Sequence, residues 1–168
     1  AGGLSDVLDF CAKEKVELLI ARCGMSDLAA AQMMEKKGFL LMDTLVYYTR
    51  DLTRPLPQSA HTAARFRPIH ADEEEAMVSV AKQSFNGYSG HYHADPRLDN
   101  HQCNDVYVDW ARKAFASRAG DDNFLVAEME GSIVAFGVFR LNSAEEGELF
   151  LGGVHPDFQG HGIYLAFL

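Results

Sequence analysis

The sequence has few cysteines and no long apolar run. Its three cysteines, Cys11, Cys23 and Cys103, form no Cys-x-x-Cys pair, and this scarcity argues against a secreted protein held together by disulfides. It also contains no signal-peptide pattern and no apolar run long enough to span a membrane. These absences predict a reduced, cytoplasmic protein with no membrane partner.

Basic residues are scarce as well. Fifteen Lys and Arg residues stand against 24 Asp and Glu residues, which gives a formal net charge of −9. Such a charge repels nucleic acids and anionic membrane surfaces at long range, so no nucleic-acid partner is expected. A polyanionic ligand would have to be held locally, by backbone amides rather than by a lysine patch. The length of 168 residues and the hydrophobic fraction of 48% permit one ordinary domain plus a small extra unit.

The stretch from Glu148 to Leu168 has the clearest local pattern. Leu149 to Val154 is an apolar run of strand length, followed by Pro156, by glycines at 160 and 162, and by a second apolar run typical of a helix start. A glycine turn that opens a helix directs unpaired N–H groups and the positive end of a helix dipole to one point. The pattern predicts a phosphate-binding turn; the alternative is an ordinary strand-to-helix turn.

The same residues resemble a known family. Gln159-Gly160-His161-Gly162-Ile163-Tyr164, preceded by Val154-His155-Pro156, is similar to the acyl-CoA loop of the GNAT superfamily of N-acetyltransferases. Tyr164 departs from the family pattern, which has Gly or Ala there. The resemblance implies acetyl-CoA as co-substrate. The cofactor-binding residues that it implies are Gly153, Val154, His155, Gln159, Gly160, His161, Gly162, Ile163 and Tyr164.

The order of predicted elements over residues 64–168 is similar to the first part of the GNAT fold. A strand at 66–69 precedes a helix opened by acidic residues, a polar aromatic loop, a helix from Asp105 that stops at Gly120, a hairpin with its turn at Glu130-Gly131, and the strand and helix described above. The expected fold class is therefore α/β with a mixed sheet, a GNAT-like acetyltransferase fold. We expect this fold to be incomplete at its C-terminal end, because Leu168 falls within a predicted helix that has no stop signal.

Residues 1–54 are predicted to form a separate small α/β unit. Helices are expected after Ser5 and Ser26, with strands at 16–22 and 39–48, and a proline-containing linker over residues 55–63 separates this unit from residues 64–168. The unit resembles the closing half of a GNAT domain, and an added N-terminal unit is similar to that of dTDP-fucosamine-type amino-sugar acetyltransferases. The alternative is any small α/β unit. Either the sequence is incomplete, which we favour, or this unit replaces the missing half in a permuted arrangement.

Acetyl transfer to an amine needs a proton acceptor and a surface for the amine. Glu148 resembles the position from which several GNAT enzymes supply a base, and simple strand alternation would put it on the same face as Val154; the alternative is an exposed glutamate in a turn. The aromatic loop supplies the residues expected to bind substrate, which are Phe85, Tyr88, His91, Tyr92 and His93. His-x-His without a third fixed ligand does not predict a metal site.

The resulting functional prediction is an acetyl-CoA-dependent N-acetyltransferase with a small-molecule amine as acceptor. An amino sugar or nucleotide-linked amino sugar is the best guess for this acceptor, because flat rings and hydrogen-bond donors suit a sugar or nucleotide face. The alternatives are a small amine, an amino acid or a protein N-terminus as acceptor, or a non-catalytic acyl-CoA-binding module. A homodimer is left open.

Overall fold

The computed structural model describes residues 3–55, 62–118 and 123–168. The chain divides into two compact units, Ala1–Thr44 and Leu45–Leu168. Most of the predicted linker, and Gly120 as the predicted helix stop, lie outside the described residues. The proposed domain limits of 1–54 and 64–168 therefore remain a prediction.

The first unit contains two short helices, α1 (Leu4–Lys13) and α2 (Leu28–Lys36). The Asp27 carboxylate accepts a hydrogen bond from the Ala30 amide at 3.0 Å, so Asp27 rather than Ser26 is the N-cap of α2. Just past the end of α2, Gly38 takes a left-handed φ of +87°, as expected for a glycine that ends a helix. Both helices were predicted, but α1 has Gly3 as its N-cap, so Ser5, after which this helix was expected to begin, lies inside it.

No strand forms within residues 3–55, so the strands expected at residues 16–22 and 39–48 are absent. Neither α1 nor α2 contains a buried residue, so this unit offers no packed face against which a strand could lie. An apolar run shows that a segment favours burial, but a strand exists only where another backbone pairs with it. The strand predictions were wrong for this reason. The resemblance to the closing half of a GNAT domain remains a prediction.

The second unit is built on a four-stranded antiparallel sheet in the order β1-β2-β3-β4. The strands are β1 (Arg65–Pro68), β2 (Phe124–Met129), β3 (Ser132–Leu141) and β4 (Gly147–Val154). The helices are α3 (Glu74–Ser84), α4 (Asn100–Ala116), a 3₁₀ turn (Pro156–Phe158) and α5 (Ile163–Phe167). The predicted α/β class and the predicted order of elements in this unit are confirmed. Helices in the described ranges lack the combination of length and apolarity that a bilayer crossing needs.

Helix α4 begins earlier than the sequence predicted. The Asp99 carboxylate accepts hydrogen bonds from the amides of His101 at 2.8 Å and Gln102 at 3.1 Å, so the helix starts at Asn100 rather than at Asp105. The sequence did not indicate that α4 begins here, because its first turn is polar and carries no apolar stripe. The cap shortens the preceding aromatic loop to residues 85–99.

The core of the second unit occupies both sides of the sheet. On one side, called here the helical face, α3 and α4 pack against residues that include Phe124, Phe136 and Leu151. On the other side, called here the opposite face, Ile163 and Phe167 of α5 pack near Ala135 and Val154. Phe124 and Phe136 are fully buried, and burying a phenyl ring contributes on the order of 2 to 3 kcal/mol. This packing fixes β4, the strand that leads into the candidate site.

Candidate functional site

The turn between β4 and α5, called here the glycine loop (residues 155–162), has the local geometry that the sequence predicted. Gly160 and Gly162 adopt left-handed φ angles of +80° and +71°, a conformation that costs other residues roughly 1 kcal/mol or more. Gly162 is the N-cap of α5, where no side chain caps the helix. A Cβ built on Gly160 would meet no atom within 4 Å. The loop is therefore open to a ligand at Gly160.

The first half of the glycine loop is tied to the sheet. The His155 amide donates to the Val134 carbonyl at 2.8 Å, and the Asp157 amide donates to His155 Nδ1 at 3.2 Å. The exposed Gln159 turns its side-chain amide back to the Val154 carbonyl at 3.3 Å. These bonds hold the loop at the end of β4 before any ligand arrives.

The second half of the loop presents free amide groups. The backbone N–H groups from Gly160 to Tyr164 have no protein acceptor among the described residues. The first amides of a helix are unpaired by geometry, and they lie at the positive end of the helix dipole. Ile163 is 1% exposed, so its side chain is part of the core, whereas Tyr164 is half exposed. Unpaired amides at a helix start suit a phosphate oxygen.

An open cavity of about 610 Å³ borders the start of the loop. Its walls come from α3, the β2–β3 turn and the 3₁₀ turn, and they include Gln83, Val134, His155 and Phe158. The His155 side chain is 19% exposed. His155 therefore borders this cavity, while His161 is exposed on the loop.

A β-bulge in β4 changes the expected orientation of Glu148. Val138 pairs with Leu151 but Phe139 pairs with Leu149, so Phe150 is an extra residue without a partner in β3. Beyond the bulge, Glu148 pairs with Arg140, whereas Val154 pairs with Ala135.

Paired residues share a face of a sheet, and Ala135 and Arg140 lie on opposite faces of β3 because alternation between them is unbroken. Glu148 is therefore on the helical face and Val154 on the opposite face. The expectation that both share one face was wrong, because alternation along a strand fails at a bulge. Glu148 and Val154 are also roughly 20 Å apart along the strand.

Glu148 is held as an ion pair at the start of β4. Its Oε2 accepts from Asn142 Nδ2 at 3.1 Å and from Arg140 Nε and Nη2 at 3.0 and 2.9 Å. The Asn142 hydrogen bond, with Arg140 second, holds the pKa of Glu148 below its ordinary value. Its side chain is 24% exposed. At neutral pH this group is a carboxylate with access to water.

Four of the five residues predicted for substrate binding gather around one side chain of α4, Tyr107, and the fifth, His91, lies against Tyr92. The ring of Phe85 lies 5.1 Å from that of Tyr107, and the rings of Tyr88, His93 and Tyr92 lie 5.1, 6.0 and 6.2 Å from it. Phe85 and Tyr107 are buried, whereas Tyr88 is 47% exposed. His91, Tyr92 and His93 are partly buried. Phe85 is thus a core residue that anchors the loop, and the other rings are accessible to different degrees.

Tyr107 and Trp110 of α4 form the base of the aromatic loop, which the sequence analysis did not identify. Trp110 lies 5.3 Å from Tyr107 and 6.1 Å from Tyr92. Gly90 was also missed: a Cβ there would overlap the Tyr107 hydroxyl and lie 2.9 Å from Tyr88 Cε1. The available signal was a helix with aromatics at i and i+3 directly after an aromatic loop, a spacing that puts both rings on one side.

Ser84 connects the two parts of the site. This last residue of α3 lies against Gly153, so closely that a Cβ on Gly153 would overlap Ser84 Oγ. The aromatic loop starts at the next residue, Phe85, and the glycine loop starts two residues after Gly153. The structure therefore brings the roots of both loops together, while Glu148 lies at the far end of β4. Groups of three or more residues arranged to hold a metal do not occur in the part of the chain that the structure describes.

A family model described as the acetyltransferase (GNAT) family matches residues 88–163, which span most of the aromatic loop and the glycine loop. The middle and the candidate site of the second unit are therefore similar to this family over those residues.

Two solved structures are similar to the chain. PH1933 from Pyrococcus horikoshii OT3 is 18% identical, with a TM-score of 0.42 over 60% of this chain and 63% of that one. A GNAT family acetyltransferase from Brucella melitensis, in complex with acetyl-CoA, is 21% identical, with a TM-score of 0.41 over 64% of this chain and 65% of that one. The matched region thus spans less than two thirds of either solved chain. No curated protein matches this sequence.

Proposed function

We propose that this protein is an acetyl-CoA-dependent N-acetyltransferase that acts on a primary amine. The observation that carries the proposal is the glycine loop, where left-handed Gly160 and Gly162 leave the amides from Gly160 to Tyr164 without protein acceptors. A chain with a net charge of −9 attracts a diphosphate poorly at long range, so local N–H groups supply the affinity. In this proposal those amides bind the diphosphate of coenzyme A.

The free edge of β4 fits the amide-containing arm of the same co-substrate. Among the described strands β4 pairs only with β3, so the backbone groups along its other edge lack a ladder partner. An arm laid along this edge from Val154 toward the bulge at Phe150 would exchange hydrogen bonds with those groups. The edge amides near the bulge would then donate to the thioester oxygen as negative charge develops there.

The transfer itself needs a neutral amine. Its nitrogen attacks the thioester carbonyl, a C–N bond forms, the C–S bond breaks, and coenzyme A leaves as the thiolate. We assign Glu148 as the acceptor of the proton that the amine loses, directly or through a water molecule, because it is ionised and lies on the same face as the aromatic loop.

We assign the binding site of the amine acceptor to the aromatic loop. Tyr88, His91 and Tyr92 offer rings and polar edges on the aromatic loop, and such surfaces suit the apolar face of a sugar ring or a nucleobase. An amino sugar or a nucleotide-linked amino sugar is therefore our preferred acceptor. Small amines, amino acids and protein N-termini are the competing acceptors.

Calorimetry with acetyl-CoA tests the donor site. We expect Gly160→Ala to weaken binding about tenfold, because the added Cβ enters the open space beside the amides and opposes the left-handed backbone. Gly38→Ala is the matched control, since Gly38 has a similar φ of +87° with no atom within 4 Å but lies just past α2 in the first unit. If the wild-type protein does not bind acetyl-CoA, the proposal fails.

Thiol release from acetyl-CoA with a panel of amino sugars and other amines tests the reaction. Turnover with an amino sugar supports the preferred acceptor, and turnover with another amine moves the assignment to that class. Binding of acetyl-CoA without turnover for every amine would instead support a non-catalytic acyl-CoA-binding module.

A further inference from the structure

His93 has both ring nitrogens engaged within the protein. Its Nδ1 lies 3.3 Å from the amide nitrogen of Gly90, and its Nε2 lies 2.9 Å from Oδ1 of Asn104 in α4. The imidazole also lies nearly parallel to the Tyr107 ring, with an interplanar angle of 10° and the ring centres 6.0 Å apart. His93 therefore links the aromatic loop to α4 by two hydrogen bonds and one ring contact.

The direction of these bonds fixes the protonation of the ring. A backbone N–H can only donate, so Nδ1 must carry a lone pair, and the proton of a neutral imidazole then lies on Nε2. The Nε2–H donates in turn to the Asn104 oxygen, which fixes the orientation of that amide. A doubly protonated ring would lose the Gly90 bond. The form of His93 that makes both hydrogen bonds is thus the neutral Nε2–H tautomer.

This geometry leaves neither nitrogen of His93 for a ligand. We propose that His93 is a positioning residue: bonded to Gly90 and Asn104, it holds the rings of Tyr88 and Tyr92 in the arrangement that receives the acceptor. The direct substrate contact expected for His93 is replaced here by this indirect role. The proposal rests on the proposed function insofar as the loop receives the acceptor.

Two further contacts support a preformed loop. The Ala94 amide donates to the Gly90 carbonyl at 3.1 Å, which closes a turn around His93, and Tyr88 packs edge-on against Tyr107. Because Gly90 has no side chain, its backbone can approach the Tyr107 hydroxyl closely. The loop is therefore held at Gly90, at His93 and at Tyr88 by contacts to the same helix.

Nitrogen NMR of the imidazole tests the tautomer in the unliganded protein. We expect the Nε2–H form for His93, with Nδ1 as an acceptor. Observation of the Nδ1–H form, or of a doubly protonated ring at neutral pH, would overturn the proposal. This measurement needs neither acetyl-CoA nor an acceptor, so it is independent of the proposed function.

Variants of Asn104 test the positioning role. Asn104→Leu removes the acceptor and should speed hydrogen exchange of the amides at 88–94 about tenfold, the effect of losing one net hydrogen bond. Asn104→Asp keeps an oxygen acceptor and should preserve slow exchange. Gln102→Leu makes a similar change at an exposed position of α4 and serves as the control.

Kinetic measurements then distinguish a loss of loop positioning from a general loss of folding. For Asn104→Leu we expect the KM for the acceptor to rise about tenfold while the Kd for acetyl-CoA is unchanged, and Asn104→Asp should restore the KM. Unchanged loop exchange, or faster exchange throughout the second unit, would refute the role of His93. If wild-type protein binds no acetyl-CoA, the proposed function fails, while the tautomer and exchange results still decide whether His93 holds the loop.

Discussion

Ser84 at the end of α3 packs directly on Gly153 near the end of β4. A Cβ on Gly153 would overlap Ser84 Oγ and would lie 3.0 Å from Ser84 Cβ and from Phe136 Cε1. The Oγ contact is shorter than real Cβ contacts, so any side chain at 153 would force its neighbours to shift. The close approach joins the roots of the aromatic and glycine loops.

Replacing Gly153 should therefore cost stability. We expect Gly153→Ala to lower the free energy of unfolding by about 1 to 3 kcal/mol through overpacking, measured by urea denaturation. Ser84→Ala in the same chain removes the closest atom and should recover part of this loss. Gly147→Ala is the control, because its nearest atoms lie at 3.8 and 3.9 Å; an equal loss at both glycines would contradict the packing argument.

Replacing Gly90 should also cost stability, because of its contact with Tyr107. Gly90→Ala places a methyl group on the Tyr107 hydroxyl, and we expect a loss of about 1 to 3 kcal/mol in the free energy of unfolding. Tyr107→Phe removes that oxygen, so the double variant should be less destabilised than the two single losses combined. A double-mutant cycle measures this coupling, and strict additivity would show that the two residues do not meet.

Glu73 should stabilise the fold in a pH-dependent way. Its carboxylate accepts two hydrogen bonds from Arg67, at 2.7 and 2.8 Å, and one from the His70 amide. The Arg67 hydrogen bonds hold the pKa of Glu73 at about 2, below its ordinary value of 4.5. Because the folded-state pKa is depressed, the stabilisation is complete above about pH 4.5 and is lost as the pH falls toward 2.

The corresponding experiment is chemical denaturation of Glu73→Gln between pH 7 and pH 2. With the Glu73 side chain 21% exposed, we expect a loss of about 2 to 3 kcal/mol at pH 7 that shrinks toward zero near pH 2. Glu75→Gln is the control, since the 77% exposed Glu75 pairs with Arg112 at the surface and should contribute little. A pH-independent loss for Glu73→Gln would exclude the carboxylate as its origin.

Replacing Glu148 should slow the chemical step. Glu148→Gln keeps the hydrogen-bonding shape but cannot accept a proton, so we expect kcat to fall about a hundredfold while the affinity for acetyl-CoA stays constant. Glu146→Gln is the matched control, because Glu146 also accepts a hydrogen bond from Asn142 but is exposed. An unchanged kcat for Glu148→Gln would assign proton removal to another group.

Local sequence determined the parts of this protein that need only neighbouring residues. The glycines at 160 and 162 predicted a left-handed turn opening a helix, and the Glu130-Gly131 turn of the hairpin has φ angles of +52° and +77°. Turn chemistry and apolar periodicity act over a few residues, so the order of elements in the second unit could be predicted from them. The GNAT resemblance followed from the same local pattern.

Tertiary structure alone decided which segments pair and which rings meet. No local rule placed Phe150 in a bulge that turns Glu148 to the helical face, or gathered the aromatic loop around Tyr107. The apolar run at 16–22 predicted a strand, yet no strand forms there. Strand pairing and side-chain contacts join residues far apart in the chain, and their energy depends on what lies across the interface, which composition and spacing do not specify.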